Sequence, residues 1–285
     1  MTGDEETSDT EPVPTSGWIS FRDAPGATPG NEAPISIEEI VAGGLAELPE
    51  VIRTDSIRSR LEAYIERLLD TNTRVNLVSR RRTTHHVARF VRESAFLARI
   101  LHVDRARLIA PTYRLLDLGS GGGFPGMILK IALPDVEVQL VEGTGKKAKF
   151  LAEVAQALEL PGLSVLWGRS EQIARIEGEG AHGVAHTRFE WVTGKALGSL
   201  VESSRLAAPF LAPEGVHWTF KGASCEAELA QAGGYFRQIG LAPFAVEPIP
   251  GHAESYVVGI RKLPSSPANV SRETFQGGPP VRRRR

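Results

Sequence analysis

Residues 114–126 read RLLDLGSGGGFPG: a short apolar segment that passes directly into glycines, closed by Pro125 and Gly126. The opening RLLDLG has the composition of a buried strand, and GMILKIAL beyond the glycines reads as a helix. A glycine turn between strand and helix lies at the strand's carboxyl end, where doubly wound α/β sheets bind ligands. Glycine permits positive φ and puts no Cβ between backbone and ligand. The spacing Gly121-x-Gly123-x-x-Gly126 also satisfies the dinucleotide fingerprint, so the loop alone does not choose between ligands.

Three features turn the reading away from a dinucleotide. Asp117 closes the strand, two residues before Gly119. There it is expected to offer a carboxylate to an ammonium or a water in the crevice. Pro125 has no N–H at the place where a pyrophosphate-binding helix offers one. The chain also closes on FAVEPIPGHAESYVVGIRKL, two strand-like runs around a Pro/Gly/His turn. A terminal hairpin adds an antiparallel edge, which nicotinamide-binding sheets do not usually have and methyltransferase sheets do. S-adenosylmethionine carries no phosphate and needs no N–H cradle. Glu142 ends the second strand, EVQLVEG, where an acid takes the ribose hydroxyls of either cofactor.

Working outward, strands and helices alternate. After EVQLVEG come the helix KKAKFLAEVAQALEL, the strands LSVLWG and FEWVTG, and the helix LGSLVESSRLAAPFL, expected to end at Pro213 and Gly215. The strand VHWTFKG, the helix CEAELAQAGGYFRQIG and the final hairpin follow. Alternation predicts an α/β fold with a doubly wound, mostly parallel seven-stranded sheet. Upstream, TDSIRSRLEAYIERLLD repeats Ile57, Leu61, Ile65, Leu68 and Leu69 at helical spacing behind Thr54 or Asp55 as N-cap, and HHVARFVRESAFLARILH follows as a second helix. The expected organisation is an acidic disordered tail over 1–34, an N-terminal helical cap over 35–110, the sheet domain over 111–264 and a basic disordered tail over 265–285.

The 285 residues are 41% hydrophobic and 24% charged, with net charge −1. That balance fits a globular protein, and no apolar run approaches the roughly 18 residues of a membrane span. Residues 1–34 carry seven acids against one arginine, and 265–285 carry five arginines against one glutamate. Both are too polar to offset the entropy of ordering. A single cysteine, Cys225, excludes an intrachain disulfide and a cysteine-rich zinc site, and the cytoplasm is the expected compartment.

Against this background a family resemblance enters. RVNLVS, VARFVRESAFLARIL, LLDLGSGGGFPGMILKIALPDVEVQLVEGTGKKAKFLAEVAQALEL, WGRSEQI, VTGKALGSL and FKG together resemble the bacterial 16S rRNA guanine-N7 methyltransferase G family, also called glucose-inhibited division protein B, over about residues 55–263. The glycine loop closing in Pro125-Gly126 and the GKKAKFL helix start are the specific parts. The resemblance implies a class I methyltransferase that moves a methyl from S-adenosylmethionine to N7 of a guanine in the decoding-region loop of 16S rRNA. It implies cofactor contacts from Gly119, Gly121 and Phe124 in the loop, Glu142 at the ribose, Ser170 and Glu171 at the adenine, and Lys195 where the family has an arginine. The chain departs from the family at two places. Arg-His reads Arg89-Phe90, the following Asp-Ser reads Glu93-Ser94, and Ser-Arg-Ala reads Gly194-Lys195-Ala196. Lysine keeps the charge and loses the planar fork of five donors.

N7 of guanine is a lone pair with no proton to remove, so no general base is required and no catalytic residue is assigned beyond orientation. Lys195 is a candidate partner either for the cofactor carboxylate or for guanine O6. Arg80, Arg81, Arg82 and Arg89, with His85 and His86, cluster beside the expected cofactor mouth as phosphate contacts, and Lys221 is expected to face the same crevice. His85 and His86 are adjacent rather than one turn apart, which does not make a metal site. The expected partner is 16S rRNA or the small ribosomal subunit, met by a monomer with no membrane association. Two rival readings share the fold: a methyltransferase of small molecules, and a cofactor- or ribosome-binding protein without turnover.

Overall fold

The computed structural model describes residues 33–105, 113–170, 172–173 and 188–264. Nearly all of both tails, Glu171 and the 177–187 stretch of the glycine-rich insertion lie outside the described residues.

Among the described residues three α-helices precede the sheet: α1 (Ile37–Glu47), α2 (Asp55–Asn72) and α3 (Thr83–Arg105). Apolar spacing in the sequence pointed only to the last two. α1 carries its own signature, Ser36-x-x-Glu39, and the structure closes both halves of that capping box. Gly43 and Gly44 inside it lower its helix propensity. Gly44 serves close packing, since a Cβ there would stand 2.6 Å from Val91 Cγ1 of α3. α2 is capped by Thr54, whose hydroxyl accepts from Ile57 N. Its Leu61, Ile65 and Leu68 are fully buried, each contributing about 1.5–3 kcal/mol by burial.

The sheet follows as β1 (Arg114–Leu118), β2 (Glu137–Glu142), β3 (Leu163–Trp167), β4 (Phe189–Gly194), β5 (Leu211–Lys221), β6 (Leu241–Pro248) and β7 (Tyr256–Lys262). Its order is β3-β2-β1-β4-β5-β7-β6. The expected seven strands are all present. β7 is antiparallel to both its neighbours, β5 and β6. The final hairpin therefore folds with its last strand inside the sheet and β6 at the edge. Between strands lie α4 (Gly126–Ala132), α5 (Gly145–Ala157), α6 (Leu200–Ala207) and α7 (Cys225–Gln238).

One boundary is corrected. The helix expected over 197–211, with Pro213 and Gly215 as its stop, ends at Ala207, and a short 3-10 turn leads into β5 at Leu211. Pro213 and Gly215 lie within β5, where its pairing with β4 jumps from Phe189–Leu211 to Trp191–Val216. A bulge of this kind accommodates both a residue with no N–H and one with no side chain.

Two apolar layers sandwich the sheet. One joins Tyr64 of α2 and Val91 of α3 with Met127, Leu151, Leu115 and Leu140. The other packs α6 and α7 through Leu200, Ala207 and Phe236 against Leu116, Val192 and Ile260. The helical cap thus shares its core with the sheet.

Candidate active site

β1 ends at Leu118 and the chain turns through Gly119 (φ +69°), Gly121 (φ +59°) and Gly123 (φ +108°). These three left-handed values are the physical reason for the glycine run. Gly123 N and Phe124 N donate to Ser120 O, closing the turn. Tyr64 reaches up from α2 and donates its hydroxyl to Gly122 O at 2.7 Å, so the cap supports the loop from below. Gly121 is open: a Cβ there would find only Gly119 O, at 3.8 Å.

Asp117 is placed differently from the expectation. It is fully buried and lies beneath the loop, accepting from Gly126 N at 3.1 Å. It caps α4 from inside, in place of the side-chain cap that Pro125 cannot give. Burial pushes its carboxyl up to about 7. Its Oδ1 has no hydrogen-bond partner among the described residues.

Glu142, at the end of β2, is the acid that faces the loop. Oε2 accepts from Gly121 N at 2.8 Å and Oε1 from Thr144 N at 2.7 Å. Each carboxylate oxygen keeps a further acceptor site, so the two amides orient the group without exhausting it. Ser170, buried, follows β3 on the same side. Trp167 ends β3, is 71% exposed, and donates its Nε1–H to Gly143 O at 3.2 Å. This exposed indole is absent from the expected site residues, although its place at a strand's carboxyl end was visible.

Lys195 lies across β1 from Glu142, at the end of β4. Its ammonium pairs with Glu93 of α3. The Phe90 ring stands 4.2 Å from Nζ and the Phe220 ring 4.8 Å. Phe90 also packs edge-on against Phe124 at 5.4 Å between centroids. Burial, with Arg89 adding to it, draws the lysine well below its usual range. Glu93 Oε1 takes Arg89 Nε at 2.6 Å, and Arg89 Nη2 lies 3.5 Å from Ser255 Oγ. The departures at 90, 93 and 195 are therefore one cluster.

Lys221 requires correction. It is buried, and its ammonium donates to Gly198 O and Glu228 Oε2, both at 2.9 Å. It ties β5 to the start of α6 and to α7. Arg80, Arg81 and Arg82 are exposed on the turn before α3. Arg80 lines a cleft of about 710 Å³ with Asn76, Leu77, Val78, Ser79 and Lys147. Asn72 shapes it by accepting from Leu77 N and Val78 N at 2.8 and 3.0 Å. The cleft adjoins the glycine loop, where Leu77 Cβ stands 3.5 Å from the place of a Gly122 Cβ. Among the described residues no cluster of His, Cys, Asp and Glu has the makings of a metal site, and no helix is long and apolar enough to cross a membrane.

The model of one protein family, GidB (rRNA small subunit methyltransferase G), matches residues 57–243 of this geometry. The chain belongs to that family. A ribosomal RNA small subunit methyltransferase G from Sorangium cellulosum is 38% identical over 177 residues, 62% of this chain and 69% of the relative. One from Chloroflexus aggregans is 33% identical over 256 residues, 89% and 98% of the two chains. A putative methyltransferase from Escherichia coli, among solved structures, covers 59% of this chain and 86% of its own at 14% identity and TM-score 0.43.

The family's cofactor is S-adenosylmethionine, and the site fits it. The open backbone at Gly121 leaves room for a ligand, Glu142 keeps acceptor sites for ribose hydroxyls, and Pro125 denies the N–H a pyrophosphate needs.

Proposed function

We propose that the protein methylates N7 of a guanine in 16S rRNA, with Gly119, Gly121, Phe124, Glu142, Ser170 and Glu171 as the cofactor-binding set. Asp117 acts through the loop it caps. The observation that carries this reading is the oriented Glu142 beneath the open Gly121, with Lys195 on the far side of β1. Ribose held at Glu142 on the β2 side leaves the β4 side for the methyl acceptor.

The cofactor supplies an electrophilic methyl on a positive sulfur. N7 attacks with its own lone pair, so no residue has to remove a proton. The protein's work is to orient the base and to keep water out, and Phe90, Phe124 and Phe220 wall the acceptor side with apolar surface. Arg80 and Lys147, at the adjoining cleft, and the half-exposed Arg89 serve the RNA phosphates. Trp167 gives a ring on which an unstacked base can lie.

The test is transfer of labelled methyl from S-adenosylmethionine to 16S rRNA and to small subunits from a strain lacking the modification. The label is expected at one guanine, where the chain becomes cleavable as N7-methylguanine does. Cofactor binding with no label on either RNA would overturn the reading and favour a binding protein without turnover.

A further inference from the structure

The Lys195 ammonium is confined on three sides. Glu93 holds one, and the Phe90 and Phe220 rings cover two more. The side chains of Glu93 and Lys195 are 2% and 17% exposed. Burying an ion pair costs desolvation that its attraction does not reliably offset. A pair of apolar residues would have packed there without that cost. The pair is better understood as fixing where one donor points.

An ammonium has three donors and no acceptor. One goes to Glu93, and the rings accept poorly, so what remains suits an acceptor on a ligand. Guanine presents only acceptors, O6 and N7, on that edge. N7 has to stay free as the nucleophile, which leaves O6 for the lysine. Methylation at N7 also makes the base positive, and an unpaired cation beside it would oppose that charge. Glu93 offsets the ammonium while leaving its hydrogen-bond donor in place. The Arg89 guanidinium, on the other oxygen of Glu93, is 40% exposed and screened by water.

We infer that Glu93 is a positioning residue that, through Lys195 and against the Phe90 ring, holds O6 of the target guanine so that N7 is presented for methylation. The inference rests on the guanine-N7 reading above. It also accounts for two departures together. A longer acid at 93 meets a shorter-reaching base at 195, so the pair is matched as a unit.

The experiment compares RNA carrying guanine at the target position with RNA carrying 2-aminopurine, which keeps N7 and lacks O6. The wild type is expected to methylate the guanine RNA about tenfold faster or more, the value of one charged hydrogen bond. In Glu93→Gln and in Lys195→Met that preference collapses through a lower kcat on guanine, while KM for S-adenosylmethionine stays within about twofold, as for an interaction made only on the acceptor side. Glu93→Asp and Lys195→Arg each lose rate, and the double variant regains it, as coupled residues do. The two charge-conserving variants keep the test valid if Glu93→Gln fails to fold. A preference that persists in folded Glu93→Gln, or a loss seen as a higher KM for the cofactor, overturns the inference and leaves the guanine-N7 reading intact. No transfer from the wild type to either RNA overturns both.

Discussion

Glu142 Oε2 accepts from the backbone N–H of Gly121 at 2.8 Å, while Oε1 accepts from Thr144 N at 2.7 Å. Both oxygens are thus needed as acceptors before any ligand arrives. Glu142→Gln puts an NH₂ group against one of those N–H donors and is no silent isostere. We expect it to weaken S-adenosylmethionine binding by about tenfold to a hundredfold, in line with about 1–3 kcal/mol for a broken buried hydrogen bond. Titration calorimetry checks this, and an unchanged affinity would remove Glu142 from the cofactor site.

The loop glycines separate by function. Gly126→Ala drives a Cβ to 2.7 Å from Asp117 Oδ2 and into Leu140, so it should cost about 1–3 kcal/mol by overpacking with little direct effect on ligand contact. Gly121→Ala has space, yet its φ of +59° is costly for alanine by about 1–2 kcal/mol, and its Cβ stands on the open side of the loop. Urea unfolding and cofactor titration of both variants should show Gly126→Ala hurting stability more and Gly121→Ala hurting binding more.

Asp117 makes stability depend on pH. Its carboxyl is raised from 3.8 to about 7 in the folded state, so the fold keeps a proton that the unfolded chain has given up. The stabilisation is complete below about pH 4 and is lost as pH rises toward 7, at about 1.4 kcal/mol for each pH unit in between. Asp117→Asn keeps an acceptor for Gly126 N and has no charge to bury. The wild type's melting midpoint should fall relative to that variant between pH 4 and pH 7.5, by about 2–4 °C for each kcal/mol. Parallel curves would show that Asp117 does not titrate in this range.

The corrected lysine and the cleft cations predict opposite results. Lys221→Ala removes the ammonium from Gly198 O and from Glu228, which keeps Leu200 N and Ser224 Oγ as donors, and should cost about 1–3 kcal/mol of stability with the salt dependence of RNA binding unchanged. Arg80→Ala and Lys147→Ala should leave stability nearly alone and each lower the slope of log affinity against log salt by about 0.7–0.9. A steeper loss of RNA binding in Lys221→Ala than in Arg80→Ala would return Lys221 to the crevice.

Much of the fold was legible because local signals agreed. Short apolar runs between turn residues marked β1 to β7, and the glycine run marked the loop after β1, where Gly119, Gly121 and Gly123 take left-handed φ. α1 escaped because two glycines masked a capping box that was there to read. The β5 boundary escaped because Pro213 and Gly215 look like a helix stop when the bulge they sit in is made by pairing with Phe189 and Trp191. In the site, the residue types were visible and their directions were not. Asp117 and Glu142 are both acids at strand ends. Whether a side chain points under the loop or into the crevice depends on the pleat and on Gly126, which no spacing shows. Lys195 and Lys221 likewise both end strands. One meets Glu93 and the other Glu228, and these pairings are set by α3 and α7 folding back onto the sheet.

The place of β7 has a consequence for how the molecule is made. Translation delivers β1 through β6 in order, yet β5 and β6 have no lasting neighbour between them until Tyr256–Lys262 arrives. A nascent chain stalled before that point would show a naked strand edge along Val216–Lys221, a template for pairing with other chains. The sheet therefore gains its next-to-last strand late in synthesis, and a release or pause before residue 256 is where aggregation should begin.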